Sequence, residues 1–253
     1  MAATRTAWPD VNQHLAADLR DDLYVQDELR QADPSDPLYV SGGQGARNAL
    51  RMWLQYDPLD VWIEAQDEDA RRLLRLLPAD RDLHVKVASP FGLQIVQEEL
   101  RGTVSVGQVF CFVDRARFRP SLVHRTMPLS RNDEKALAEY PEQWPTDWDR
   151  ELEGVDAGSD CMFGCWEDGQ LVGYATAYSY DGVGQITADV RPEWRGKGYG
   201  RSLLSSAIED RLQRDRCVLC SCCMENIAHL RTAVALGFAP LRQTFYFHGR
   251  RRG

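Results

Sequence analysis

The chain has 253 residues, of which 43% are hydrophobic and 27% charged, with a formal net charge of −8. That mix suits one large or two modest globular domains, and the acidic balance excludes a nucleic-acid binder working through a broad basic face. No apolar run approaches the roughly 20 residues that span a bilayer, and the opening MAATRTAWPD lacks the basic-then-apolar order of a secretory signal. A cytoplasmic protein without nucleic-acid or membrane partners is expected.

The first thirty-odd residues read as polar and helical, up to the double-proline breaker ADPSDP. LYVSGGQGARNALRMWLQ then reads as an apolar run, a glycine turn and a helix. PLDVWIEA, DEDARRLLRLLP, DLHVKVA, FGLQIVQEEL and VGQVFCFVD alternate strand and helix, which predicts a small α/β unit with a partly parallel sheet. His84 falls within an alternating strand, where a structural role is expected.

A boundary is expected near residue 120, giving domains 1–120 and 121–253. After it, VHRTMPL reads as a strand and RNDEKALAEY as a helix with an Asn/Asp start. PEQWPTDWDRELEG reads as irregular or loosely helical. MFGCWEDGQLVGYATAYSY is a hairpin turning at Glu167-Asp168-Gly169. GQITADV is a strand, RSLLSSAIEDRLQRD a helix, CVLCSCC a strand, NIAHLRTAVALG a helix and LRQTFYFH a final strand.

Of the seven cysteines, four crowd into CVLCSCC as Cys217, Cys220, Cys222 and Cys223. An odd count in a chain of this size does not suit a disulfide framework. Zinc would need a further ligand pair, and Cys161 with Cys165 fits no common spacing. The cysteines are expected to fill a buried strand as small apolar residues, and no metal is expected.

The stretch VRPEWRGKGYGRSLL, Val190 to Leu204, joins a strand to a helix through glycines and basic residues. Backbone N–H groups at a helix start lack intrahelical acceptors and sit at the positive end of the dipole, so the stretch predicts an oligophosphate site. Arg195, Lys197 and Arg201 add charge. A Walker loop fails because Gly198 follows Lys197, and a Rossmann turn fails because the spacing is GxGxG. The form Arg195-x-x-Gly198-x-Gly200 resembles the acyl-CoA pyrophosphate loop of GCN5-related N-acetyltransferases, the GNAT family. The hairpin EDGQLVGYA and the helix NIAHLRTAVALGF resemble the family's neighbouring elements, in the family's order, across about residues 122–248.

The resemblance implies an α/β (α+β) fold: a mixed, mostly antiparallel twisted sheet flanked by helices, preceded by a smaller domain that is a degenerate copy or one wall of the acceptor pocket. It implies acetyl-CoA, or another acyl-CoA, as cosubstrate and a small-molecule or peptide amine as acceptor. It further implies that backbone amides around Gly196, Gly198, Tyr199, Gly200 and Arg201, with Arg195 and Lys197, hold the pyrophosphate. Val190 is implied to offer its N–H to the thioester oxygen, and Asn226 to meet the CoA arm while capping its helix. Where many relatives carry a catalytic Glu this chain has Gln185, so Asp189, on the same strand face, is the nearest acidic substitute as base, a solvated or salt-bridged residue being the other reading; Asp181 and His229 are further options. Where relatives commonly place an acidic Tyr this chain has Ala233, and Tyr246, Tyr199 or His248 is left to protonate the thiolate. The alternative is an acyl-CoA-binding protein without transfer. The tail HGRRRG is expected to be solvated, with a CoA 3′-phosphate contact as the other reading.

Overall fold

The computed structural model describes residues 3–6, 15–17, 22–30, 35–41, 45–105, 107–141, 147–180 and 182–252. It divides into two compact units, Met1–Phe110 with Cys223–Glu225 and Leu241–Gly253, and Cys111–Cys222 with Asn226–Pro240. The elements of the first are β1 (Ala3–Thr6), α1 (Leu23–Arg30), β2 (Leu38–Ser41), β3 (Asn48–Trp53), β4 (Leu59–Glu64), α2 (Ala70–Leu74), β5 (Leu83–Val87), α3 (Pro90–Glu99) and β6 (Leu100–Ser105). Then follow β7 (Gln108–Val113), β8 (Met127–Pro128), α4 (Glu134–Ala138), α5 (Trp148–Asp156), β9 (Cys161–Glu167), β10 (Gln170–Tyr180), β11 (Val183–Val190), α6 (Tyr199–Arg214), β12 (Cys217–Cys223) and α7 (Ile227–Ala235). The chain ends with β13 (Ala239–Gln243) and β14 (Phe245–Arg251).

Both sheets follow one plan. Their orders are β1-β2-β3-β4-β5-β14-β6 and β8-β9-β10-β11-β12-β7-β13. In each, the first four strands are antiparallel neighbours and the fourth runs parallel to the fifth. The shared plan makes the front unit a second copy of the same architecture. Its sixth strand, β14, comes from the end of the chain, so the last segment lies with the first sheet and not with the residues before it. A single cut at residue 120 does not capture that return.

Several local readings differ from the structure: Ala3–Thr6, within the stretch read as helical, form β1, and LRQTFYFH, read as one strand, divides between β13 and β14 of different sheets. NALRMW was expected to be helical and is instead β3, buried along nearly its whole length between β2 and β4. Burial on both faces removes the alternation that marks a strand, leaving an apolar run that reads either way. The tail is not solvated coil: β14 continues to Arg251 between β5 and β6. Arg251 donates to the carbonyls of Arg75 (2.7 Å) and Leu77 (3.0 Å), and Arg252 to those of Leu100 and Gln97 (both 3.0 Å). Guanidinium groups thus satisfy the orphan carbonyls at the ends of α2 and α3.

The first unit's core gathers Leu50, Val61, Ile63, Leu73, Val85, Val96 and Phe247 from strands and helices. In the second unit Leu203, Ala207 and Ile208 bury one face of α6, which packs on β9, β10 and β11. The β9–β10 hairpin turns where expected. Asp168 and Gly169 have φ of 49° and 78°, the two left-handed positions of a type I′ turn, whose twist matches the strands it joins.

Candidate active site

In the second unit the parallel ladder between β11 and β12 covers only Val183 to Gln185 against Cys217 to Leu219. Beyond those three pairs β11 continues to Val190 with no β12 partner among the described residues, so the sheet opens into a wedge. Arg191 N–H bonds the Val172 carbonyl at 2.9 Å, which makes Val190 and Gly173 a non-hydrogen-bonded pair. The N–H and carbonyl of Val190 therefore face the wedge rather than β10. Arg195 Nε takes the carbonyl at 2.7 Å, and the N–H is a donor directed to where the ladder has ended.

The chain leaves β11 through a 3-10 turn, Pro192–Trp194, and enters the glycine loop. Gly196 (φ 76°) and Gly198 (φ 97°) both occupy the left-handed region, and Gly198 is the N-cap of α6 with no side-chain cap. Nothing lies within 4 Å of where a Gly196 Cβ would stand. The loop is exposed at Arg195, Gly196 and Lys197, and Arg201 is exposed on the first turn of α6. The result is a helix start with open N–H groups, no acidic residue in its first turn and cations around it, which is an anion cradle.

The front unit makes the contrast. Its parallel pair β4–β5 stays zipped from Leu59↔Leu83 to Ile63↔Val87, and Ala88 N–H then bonds the Ile63 carbonyl. Where the second unit has RGKGYGR, the first has AQDEDARR before α2. Closed strands and three acidic residues at the helix entry repel an oligophosphate there.

The expected site residues divide into groups. Val190, Gly196, Gly198, Gly200 and Arg201 lie together at the wedge and the start of α6. The Arg195 guanidinium turns back to Val190 and Asp189 (3.2 Å) instead of extending outward, and Lys197 Nζ lies 4.5 Å over the Trp194 ring. The Tyr199 ring is buried, and its hydroxyl donates to Glu167 Oε1 at 2.6 Å. That hydrogen bond pushes its pKa up to about 12, so its side chain is a packing element. Asn226 caps α7, its Oδ1 accepting from His229 N–H at 3.0 Å. Asp189 is paired with Arg195 and accepts from Tyr140 Oη at 3.2 Å. Gln185 accepts from Tyr178 Oη at 2.6 Å, and Ala233 is buried. Tyr246 and His248 belong to β14 in the first unit. There Tyr246 lies 5.0 Å from the His84 ring, with its pKa raised by burial to about 12. Within that unit His248 stacks on His84 at 4.5 Å. Asp181 lies outside the described residues. His229 turns into the cysteine cluster, and burial lowers its pKa.

His124 is a loop contact that the sequence did not reveal. Its Nε2 lies 2.8 Å from the Lys197 carbonyl, and its ring stacks on Tyr199 at 3.7 Å. Ser202 Oγ accepts from the backbone N–H groups of Val123 and His124, both at 3.0 Å. Buried serines on α6 thus hold the segment that braces the loop. With some 73 residues between the two partners, no local spacing signals this contact.

Residues 130–238 match the model of the acetyltransferase (GNAT) family. The fold is similar over nearly the whole chain to three solved structures. An acetyltransferase from the GNAT family of Colwellia psychrerythraea has TM-score 0.66 and 12% identity, with 99% of this chain and 100% of that one covered. A GCN5-related N-acetyltransferase from Sphaerobacter thermophilus has TM-score 0.63 and 16% identity, covering 99% and 96%. A tandem GNAT protein from the clavulanic acid biosynthesis pathway has TM-score 0.63 and 17% identity, covering 99% and 98%. No curated protein sequence matches significantly. No described helix is long and apolar enough to cross a membrane. Residues 130–238 of this chain are thus similar to the acetyltransferase (GNAT) family, and the fold of the chain as a whole is similar to that of a tandem GNAT protein.

Proposed function

We propose that the second unit binds one acyl-CoA, acetyl-CoA by preference, and transfers its acyl group to an amine by direct attack in a ternary complex. The observation that carries this reading is the coincidence of the open β11–β12 wedge, the inward Val190 N–H and the uncapped glycine start of α6. When bound, the cosubstrate supplies the thioester. The α6 N–H groups and Lys197 and Arg201 would neutralise its pyrophosphate, and Asn226 would meet its arm.

In the transfer, the amine nitrogen bonds the thioester carbonyl carbon, the C–S bond breaks, and the sulfur leaves with the electron pair. Val190 N–H faces the oxygen on which negative charge develops, so it stabilises the transition state more than the ground state. Alignment within the wedge supplies much of the remaining acceleration. Asp189, tied to Arg195 and Tyr140, stands nearest the wedge mouth. We assign it two tasks, fixing Arg195 on the Val190 carbonyl and accepting the ammonium proton through solvent. A leaving thiol resembling Cys, with a pKa of about 8.5, departs as thiolate without a dedicated acid, and Tyr246 takes no part in this mechanism.

The pairing of Asp189 and the occupied amide of Gln185 favour a second reading, a binding protein without transfer. Release of CoA thiol from acetyl-CoA, followed against a panel of amines, separates the two. Amine-dependent release supports transfer; tight CoA binding with no amine-stimulated release supports the binding protein.

A further inference from the structure

We propose that Cys111, Cys220, Cys222 and His229 form a four-ligand site for one thiophilic divalent cation of the zinc class. Cys220 and Cys222 are two apart on β12 and point to one face, with their sulfurs 3.9 Å apart. Those sulfurs and a ring nitrogen of His229, in the first turn of α7, all lie within 4.8 Å of one another. Cys111 comes from the neighbouring strand β7, near enough to interact electrostatically with Cys220, Cys222 and His229. The three cysteines are buried, at 6%, 6% and 0% exposure for Cys111, Cys220 and Cys222.

The spacing suits a metal better than a disulfide. With Zn–S bonds of about 2.3 Å, two sulfurs of a tetrahedron stand about 3.8 Å apart, close to the separation seen between Cys220 and Cys222. A disulfide needs sulfurs about 2.05 Å apart. Along an extended strand residues i and i+2 are roughly 6.6 Å apart, near the far limit for a bridge. Three sulfurs and one imidazole are a recurrent zinc donor set. Simple packing accounts for small buried side chains, but it does not account for an imidazole converging on two thiols of one strand with a third thiol on the strand beside it.

Binding breaks three S–H bonds, forms three metal–sulfur bonds and one metal–nitrogen bond, and releases the thiol protons to solvent, with no change of oxidation state. The centre carries one net negative charge, from a dication and three thiolates. It ties β7, β12 and the start of α7 together. Because Asn226 caps His229 directly, the cation also steadies the first turn of α7.

The test is titration of Co2+ into the full chain, reduced and freed of metal by chelator, under anaerobic conditions. The expected result is one Co2+ per chain. It should show intense near-ultraviolet thiolate-to-cobalt absorption and the visible bands of a tetrahedral ion, and Zn2+ should bleach both. Cys222→Ser should remove most of the charge-transfer intensity. His229→Gln, at a partly exposed position, serves where the serine variant does not fold, and should weaken Co2+ binding at least tenfold. Cys165→Ala, a buried thiol outside the cluster, should bind as wild type. In a second measurement, bound Zn2+ should protect three thiols from alkylation in the native chain. No saturable uptake, weak octahedral bands only, a disulfide formed among these cysteines in place of uptake, or binding unchanged by both cluster variants would overturn the proposal.

Discussion

Replacing Gly198 by Ala isolates the backbone contribution of the loop. Gly198 has φ of 97°, and an added Cβ would meet its nearest neighbours, His124 and Val123, at an ordinary 3.7 Å. The methyl group fits, so the penalty is conformational: an L-residue in the left-handed region costs about 1–2 kcal/mol. That cost must appear in one of two places. If His124 and α6 hold the loop in place, stability falls, by about 2–8 °C in Tm at about 2–4 °C per kcal/mol for a chain of this size. If the loop relaxes instead, the α6 N–H groups turn from the cradle and acetyl-CoA affinity falls about 5- to 30-fold. Asn tolerates this conformation better, so Gly198→Asn should lose less than Gly198→Ala in whichever quantity moves. Differential scanning calorimetry and isothermal titration calorimetry on the same preparations read both. An alanine variant matching wild type in Tm and in affinity would show that the left-handed backbone at Gly198 contributes to neither.

Val190→Pro removes the inward N–H at a position where the N–H is outside the β10 ladder. Turnover should fall about 10²- to 10³-fold, the cost of losing one oxyanion donor, while CoA affinity measured by calorimetry stays near wild type. His124→Ala deletes the Lys197 contact and the stack on Tyr199, with a net hydrogen bond worth about 1 kcal/mol. CoA affinity should drop several-fold, and an unchanged dissociation constant would remove His124 from the loop's support. Arg242→Ala strands Glu64, a fully buried carboxyl that Arg242 pairs at 2.5 Å. Breaking such a pair costs about 3–5 kcal/mol. Burial already raises the Glu64 pKa in the folded state, and losing Arg242 raises it further. The folded state then holds the proton more tightly than the unfolded one, so the variant's deficit should shrink as pH falls from 7 toward 5. Denaturant midpoints at the two pH values check this, and a deficit independent of pH would contradict it.

What the sequence revealed was mostly local. Asp168-Gly169 announced a turn because only a few residues accept two positive φ angles. The glycine loop and the Asn226 cap were legible because helix starts impose fixed offsets on polar and glycine residues. Contacts made across many residues were not legible. β3 lost its alternation by being buried on both faces, and β14 could not be assigned to the first sheet because its partners lie far back in the chain. The Arg251 and Arg252 side chains looked like a solvated run until α2 and α3 supplied carbonyls for them. The cysteines show the same limit: local spacing directed attention to Cys161 and Cys165, whereas the fold brings Cys111 and His229 to the CVLCSCC strand. The wedge itself is a tertiary property. Nothing in GQITADV says that its pairing with β12 stops after three residues.

The most direct test of the account is calorimetric titration of acetyl-CoA into the full chain and into Gly198→Glu. The substitution adds backbone strain and places a carboxylate against the pyrophosphate cradle. One binding event is expected per wild-type chain, since among the described residues only the second unit has an open wedge and a basic loop, and no measurable binding in a variant that remains folded by circular dichroism. Two events per wild-type chain, or equal affinity in the variant, would contradict it.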